Sequence, residues 1–139
     1  MTLAPEDKIA LSDVRMKKAD VFLDDARANL EGGRFSTAIN RCYYSALASA
    51  RAILILEGVT PESHDGATTM LSLRFVKPGV LPAETVRMFK LLLSRRTDAD
   101  YGDFETASED DAVDSYEAAK TIRDMIEAAR KGIISRLAG

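Results

Sequence analysis

Apolar positions along this chain recur every three or four residues, the spacing of one face of an α-helix, and no stretch alternates as a strand would. Val14, Ala19, Phe22, Leu23, Ala26 and Leu30 mark a first helix. Pro5, followed by Glu6 and Asp7, starts it, because proline suits the first turn and acids suit the positive end of the helix dipole. Gly32-Gly33 stops it. A second helix is predicted from about Phe35 to Glu57, ending at Gly58, with a loop over 59–63 around Pro61. Ser63 caps a short third helix that ends near Val76, before Lys77-Pro78-Gly79. Pro82 opens a fourth, with Val86, Phe89, Leu92 and Leu93 on its apolar side, running down to Tyr101-Gly102. Ser108 with Asp111 three residues on is a capping-box start. In the long helix that follows, Val113, Tyr116, Ala119, Ile122, Ile126, Ala129, Ile133 and Leu137 step by three or four. The pattern predicts an all-α fold: four long helices in an up-and-down bundle plus one short helix, as one domain over residues 1–139.

The second helix is apolar on one side and small on the other. Ile39, Tyr43, Leu47, Ala50 and Leu54 share the core face. The opposite side carries Ser45, Ala48, Ser49 and Ala52, flanked by Arg41, Tyr44 and Arg51. Small residues let a second backbone approach closely, so this helix is expected to be central and buried on both sides. Its small face is expected to meet the fourth helix or a partner subunit.

Composition narrows the chemistry. The 139 residues are 46% apolar and 29% charged, with a net charge of −3, which excludes the gross basicity of a dedicated duplex-DNA binder. One Cys and one His exclude an internal disulfide and a Cys/His zinc site within one chain. No metal and no cofactor is predicted. The longest apolar runs, such as 52–56, are too short to span a bilayer, and the first ten residues hold no apolar leader. A cytoplasmic protein with a reduced, buried Cys42 is expected. Charge is also uneven: the stretch from Thr97 to Glu117, including Asp103 and Glu105, is rich in acids and holds no Lys or Arg. Asp98 and Asp100 lie at the C-terminal end of a helix, where acids are disfavoured, so they want cationic partners. Arg95 and Arg96 are nearest, and Arg96–Asp100 has i,i+4 spacing.

Three segments together carry a family resemblance. These are Asn40-Arg41-Cys42-Tyr43-Tyr44-Ser45-Ala46 with Ala50-Arg51-Ala52, then Ser63-His64-Asp65-Gly66 with Phe75-Val76-Lys77-Pro78-Gly79-Val80-Leu81-Pro82, and finally Arg95-Arg96-Thr97-Asp98-Ala99-Asp100-Tyr101. In this order and spacing, from about Val14 to Ile126, the chain resembles the HEPN domain family, in its bacterial and archaeal branch related to the partners of minimal nucleotidyltransferases. The resemblance implies a helical bundle that forms a homodimer. Many members of the family are metal-independent ribonucleases. Others bind nucleotides or pair with a nucleotidyltransferase in toxin–antitoxin operons. The family's ribonuclease motif is an Arg, a polar residue, a short spacer and a His at the end of a late helix. Arg96-Thr97 matches its opening, but Tyr101 stands at the position of the His.

That departure matters chemically. Cleavage at a 2′-hydroxyl needs a group that exchanges protons near neutral pH. Imidazole does so, whereas tyrosine titrates near pH 10 and arginine does not shuttle protons. The sequence therefore favours a binding or regulatory module whose partner is a nucleotide, an RNA or a nucleotidyltransferase. Its expected binding residues are Arg41, Tyr44, Arg51, Arg95, Arg96, Asp100 and Tyr101. Each has a structural reading as well: Arg95, Arg96 and the acids as a surface ion cluster, Arg41 and Arg51 as salt bridges between helices, Tyr44 as a hydrogen-bonding side chain within the bundle. A ribonuclease with a modified site is the alternative, with Arg96 stabilising charge, Tyr101 orienting the phosphate and His64 as base. A purely structural helical interaction protein is the third reading.

Overall fold

The computed structural model describes residues 2–102 and 107–139, so Asp103 and Glu105 of the acidic stretch lie outside the described residues. Helix α1 spans Pro5–Glu31, α2 Phe35–Leu54, α3 His64–Leu71, α4 Ala83–Tyr101 and α5 Glu109–Ala138, and no strand occurs among the described residues. The caps lie where the sequence put them. Ser63 Oγ accepts the Gly66 N–H at 2.9 Å, and Ser108 Oγ accepts the Asp111 N–H at 3.0 Å. Two ends differ in form. The second helix is α-helical to Leu54 and then tightens into a 3₁₀ turn, Ile55–Glu57, before Gly58 at φ 74°, a backbone region that glycine enters without penalty. The third widens after Leu71 into a π turn over Ser72–Val76. There the Val80 and Leu81 N–H groups close on the Phe75 carbonyl at 2.8 and 2.9 Å, because Pro78 has no N–H to continue the helix.

Helix α2 touches all four other helices, and its core face is fully enclosed. Tyr43, Ile53 and Leu54 meet Phe75, Phe89, Leu71, Leu92, Ile122 and Ile126 in one cluster. Each such side chain contributes roughly 1.5–3 kcal/mol by leaving water. Both faces of α2 are buried, as expected, but the partner of the small face is α1, not α4 or a second subunit. Ser45 Oγ donates to the Ala19 carbonyl at 2.9 Å, and Ser12 Oγ of α1 donates to the Ala52 carbonyl at 2.6 Å. Helix α1 brings its own small residues, Ser12 and Ala19, to the seam, and both are wholly buried. The two backbones thus approach closely, and the hydroxyls satisfy carbonyls across the gap. Val14 was expected on the core stripe of α1 but is 61% exposed. The stripe that faces α2 and α5 runs through Ser12, Met16, Ala19, Leu23 and Ala26 instead. Val113, at the start of the apolar series of α5, is likewise exposed.

Arg130 of α5 ties the last helix to the first. Its guanidinium donates to Asp13 at 2.6 Å, to Ser12 Oγ at 3.1 Å, and to both oxygens of Glu127 at 3.2 Å. Arg123 adds a second bridge to Asp20 at 2.7 Å.

Candidate functional site

The far end of α4 meets the middle of α2 in a polar cluster centred on Arg96. Phe89, Leu92 and Arg96 follow one another by three and four, so the stripe that buries Phe89 also turns Arg96 toward α2. Its Nη2 donates to the Tyr44 hydroxyl at 3.0 Å. Its Nε lies 2.9 Å from Asp100 Oδ2, a charge contact in which the N–H is not aimed at the oxygen. Asp100 also accepts two contacts from Asn40 Nδ2, at 3.0 and 3.2 Å. Three rings surround the cation, with centroids 5.4 Å (Tyr44), 5.7 Å (Tyr43) and 5.7 Å (Tyr101) from Arg96 Cζ, within cation–π range. Burial pulls the Arg96 pKa down, but Tyr44, Asp100, Tyr101 and Tyr43 outweigh it and hold the group above its ordinary value.

The fold brings His64 to the same cluster. As the first residue of α3, it meets the Tyr43 hydroxyl through Nδ1, and the two rings contact edge-on. Burial, with Arg96 and Arg51 nearby, lowers the His64 pKa, and Asp65 only partly opposes this. Burial pushes the Tyr43 phenol up to about 12. Two tautomers satisfy this contact: the phenol donates to a bare Nδ1 and the ring keeps its proton on Nε2, or Nδ1–H donates to the phenol oxygen and Nε2 keeps its lone pair.

Two of the expected binding residues stand elsewhere. Arg41 pairs with Asp25 of α1 at 2.9 Å and lies over the Phe22 ring. Arg95 bridges to α5, to Asp114 at 2.7 Å and Ser115 Oγ at 3.2 Å, with Asp111 at 3.9 Å. The Arg41 pair is the interhelical salt bridge of its structural reading, whereas Arg95 pairs across to α5 and not with the acids at the end of its own helix. Arg96, Asp100, Tyr101 and Tyr44 do converge, with Tyr101 itself 71% exposed at the rim. Asp98 is exposed and stands outside the cluster.

Arg51 belongs to a neighbouring groove of about 530 Å³ that shares Tyr44 as a wall. Arg15, Lys18 and Phe22 of α1 line its other side, with Thr60 and Pro61 at one end and no carboxylate along it. Burial and the adjacent Arg51 cation lower the Arg15 pKa. Arg15, Lys18 and Phe22 were not among the sequence candidates. The signal for them was a basic-basic-aromatic series at spacings of three and four on one helix face. Cys42 is wholly buried, and burial raises its thiol to about 12, which leaves it inert. Among the described residues no three His, Cys, Asp or Glu side chains gather to hold a metal ion, and no helix is long and apolar enough to cross a membrane.

The chain is thus an all-α bundle with a central helix buried on two faces and an Arg–Tyr cluster at the end of α4. The HEPN domain family matches residues 12–129, and the chain belongs to that family. Among its relatives is the "UPF0332 protein" of Thermotoga maritima, 29% identical over 111 residues that cover 80% of this chain and 84% of that one. Another, named "Putative toxin MJ0605", from Methanocaldococcus jannaschii, is 29% identical over 116 residues, covering 84% of this chain and 86% of that one. A shorter match, 39% identical over 66 residues, links 48% of the chain to 46% of the "UPF0332 protein PH1297" of Pyrococcus horikoshii.

Proposed function

We propose that this chain is a cytoplasmic HEPN binding or regulatory module of a toxin–antitoxin-type system, one unit over residues 1–139 that works as a homodimer. It engages an RNA or nucleotide, or a protein partner such as a nucleotidyltransferase, and does not cut RNA at Arg96. The toxin name carried by a relative that matches most of the chain supports the setting. The observation that carries the non-cleaving reading is that the groups a cleavage site would need are already engaged. Arg96 is held by Asp100 and Tyr44, and His64 Nδ1 is engaged by the Tyr43 hydroxyl. In the tautomer in which the phenol donates, the ring proton sits on Nε2 and His64 has no lone pair free to accept the 2′-hydroxyl proton. Incubation of the purified protein with total RNA, beside Arg96→Ala and His64→Ala, tests this. The expected result is no cleavage by any of the three, with a dimer on size exclusion. Cleavage by the native chain that both substitutions abolish would overturn it.

One observation favours a second reading, a ribonuclease using Arg96, Tyr101 and His64. The fold does bring the single histidine into the field of Arg96, which the sequence alone did not require. Exchange of the Tyr43 bond for a substrate hydroxyl would then free Nδ1 as the base. The same cleavage assay decides between the two.

A further inference from the structure

We infer that the groove between α1 and α2 bordered by Arg15, Lys18 and Arg51 binds the phosphate of a nucleotide unit whose base stacks on Phe22 and Tyr44. The inference rests on the nucleotide or RNA arm of the proposed function and gives it a place distinct from the Arg96 cluster.

The argument starts from charge. Elsewhere in the molecule, partly buried arginines are matched to acids: Arg96 to Asp100, Arg123 to Asp20, Arg130 to Asp13 and Glu127. In the groove, Arg15, Lys18 and Arg51 form no ion pair among the described residues, and no carboxylate lines the walls. The one hydrogen bond of the Arg15 guanidinium is to the Arg51 carbonyl at 3.3 Å, which orients it beside a second cation. Like charges held together without a counter-ion raise the free energy of the empty groove. An anion between them relieves that repulsion and accepts charge-assisted hydrogen bonds, which arginine offers to phosphate in a two-pronged geometry. The walls select what the anion is attached to. Phe22 and Tyr44 sit with ring centroids 5.8 Å apart and planes tilted by 34°, and both line the groove, so a flat heterocycle bound there meets an aromatic wall. Stacking of a base on such a wall strengthens binding by about fivefold or more. An acidic peptide would satisfy the cations but leave the rings unused.

The test measures binding of two probes to the full chain by titration: AMP, and a single-stranded hexa-adenylate RNA. Adenosine and hexaglutamate serve as controls. Arg51→Gln and Lys18→Gln are expected to weaken both probes about tenfold each. Phe22→Leu, which keeps apolar volume, is expected to weaken them about fivefold, the lower end of the stacking range. Adenosine should bind at least about tenfold more weakly than AMP, and the salt slope for the RNA should be about −2 for three cations. Arg74→Gln, whose side chain pairs with Glu57 away from the groove, should change nothing. Thermal melts confirm that each variant folds. Comparable affinity for AMP and the hexanucleotide assigns the groove to free nucleotides, and a clear preference for the hexanucleotide assigns it to an RNA strand. The inference is overturned if Arg51→Gln and Lys18→Gln bind like the native chain, if hexaglutamate binds as well as the RNA, or if neither probe binds. Binding lost in Arg96→Ala but kept in Arg51→Gln overturns the groove and leaves the proposed function standing. RNA cleavage with binding still weakened by Arg51→Gln does the reverse.

Discussion

Helix α1 presents two charged sides that behave in opposite ways. Asp13 and Asp20 lie on one side, and Arg15, Lys18 and Phe22 lie about half a turn away at ~100° per residue. On the acidic side, α5 supplies Arg130 and Arg123, and each of these two arginines has its carboxylate. On the basic side, α2 supplies another cation, Arg51, and no carboxylate enters the groove. The first arrangement holds helices together. The second leaves charge unmatched among the described residues, which is the state of a surface that awaits an anion. Burial draws the Arg130 pKa down, but the hydrogen bonds it donates to Asp13 and Glu127 hold it above its ordinary value, whereas burial and a like charge both lower that of Arg15.

The largest test of this contrast is Arg130→Ala. Its side chain is 9% exposed, and removing it strands Glu127, itself 17% exposed, beside the α1 seam. Breaking a buried pair from one side costs about 3 kcal/mol, so chemical denaturation should show a loss of that order. Ser45→Ala should cost less, about 1 kcal/mol, because it deletes one buried bond to the Ala19 carbonyl, which lies inside α1 and keeps its place in the helical ladder. If Ser45→Ala cost more than Arg130→Ala, the α1–α2 seam and not the ionic bridge would be the stronger tie on α1.

The same contrast shows what could be read in the sequence. Helix ends were legible because single residues set them: Pro5, Gly32-Gly33, Ser63 and Ser108 act locally. The central, two-faced character of α2 was legible from Ser45, Ser49 and Ala52. The identity of its neighbour was not, because that depends on Ser12 and Ala19 of another helix meeting those residues in register. Among the candidate site residues, Arg96–Asp100 was legible because i,i+4 partners share a face. The partners of Arg41 and Arg95 were not legible, because Asp25 and Asp114 reach them across helix seams whose rotation no local pattern fixes. The meeting of His64 with Tyr43 joins positions 21 apart through the α2–α3 crossing. The basic side of α1 passed unremarked since Arg15 and Lys18 look like ordinary solvated cations until Arg51 is placed against them.

His64 provides a smaller effect, which reads its burial and the fields of Arg96 and Arg51 together. Its folded pKa lies below the ordinary 6.5, because of burial and the Arg96 and Arg51 cations, with Asp65 opposing. The unfolded chain therefore binds a proton at His64 before the folded one does. Its contribution to stability is fully present above about pH 6.5 and is lost as pH falls from there through the folded value. Denaturation midpoints measured across that window should fall with pH in the native chain and fall less in His64→Gln. An unchanged slope would place the histidine outside the field of the two arginines.

The smallest stability change is expected at Arg51, and it is the one that separates the two sides of α1. Arg51→Gln removes a cation that forms no ion pair among the described residues and relieves its repulsion of Arg15. The Arg51 carbonyl that Arg15 uses is backbone and survives the substitution. Stability should therefore stay level or rise by about 0.5 kcal/mol, within the range of exposed charge interactions. Raising the salt concentration should stabilise the native chain at this site more than it stabilises Arg51→Gln, because screening relieves the same repulsion. A loss of more than about 1 kcal/mol in Arg51→Gln would show that Arg51 is structural, like Arg130, and that the two sides of α1 are not different in kind.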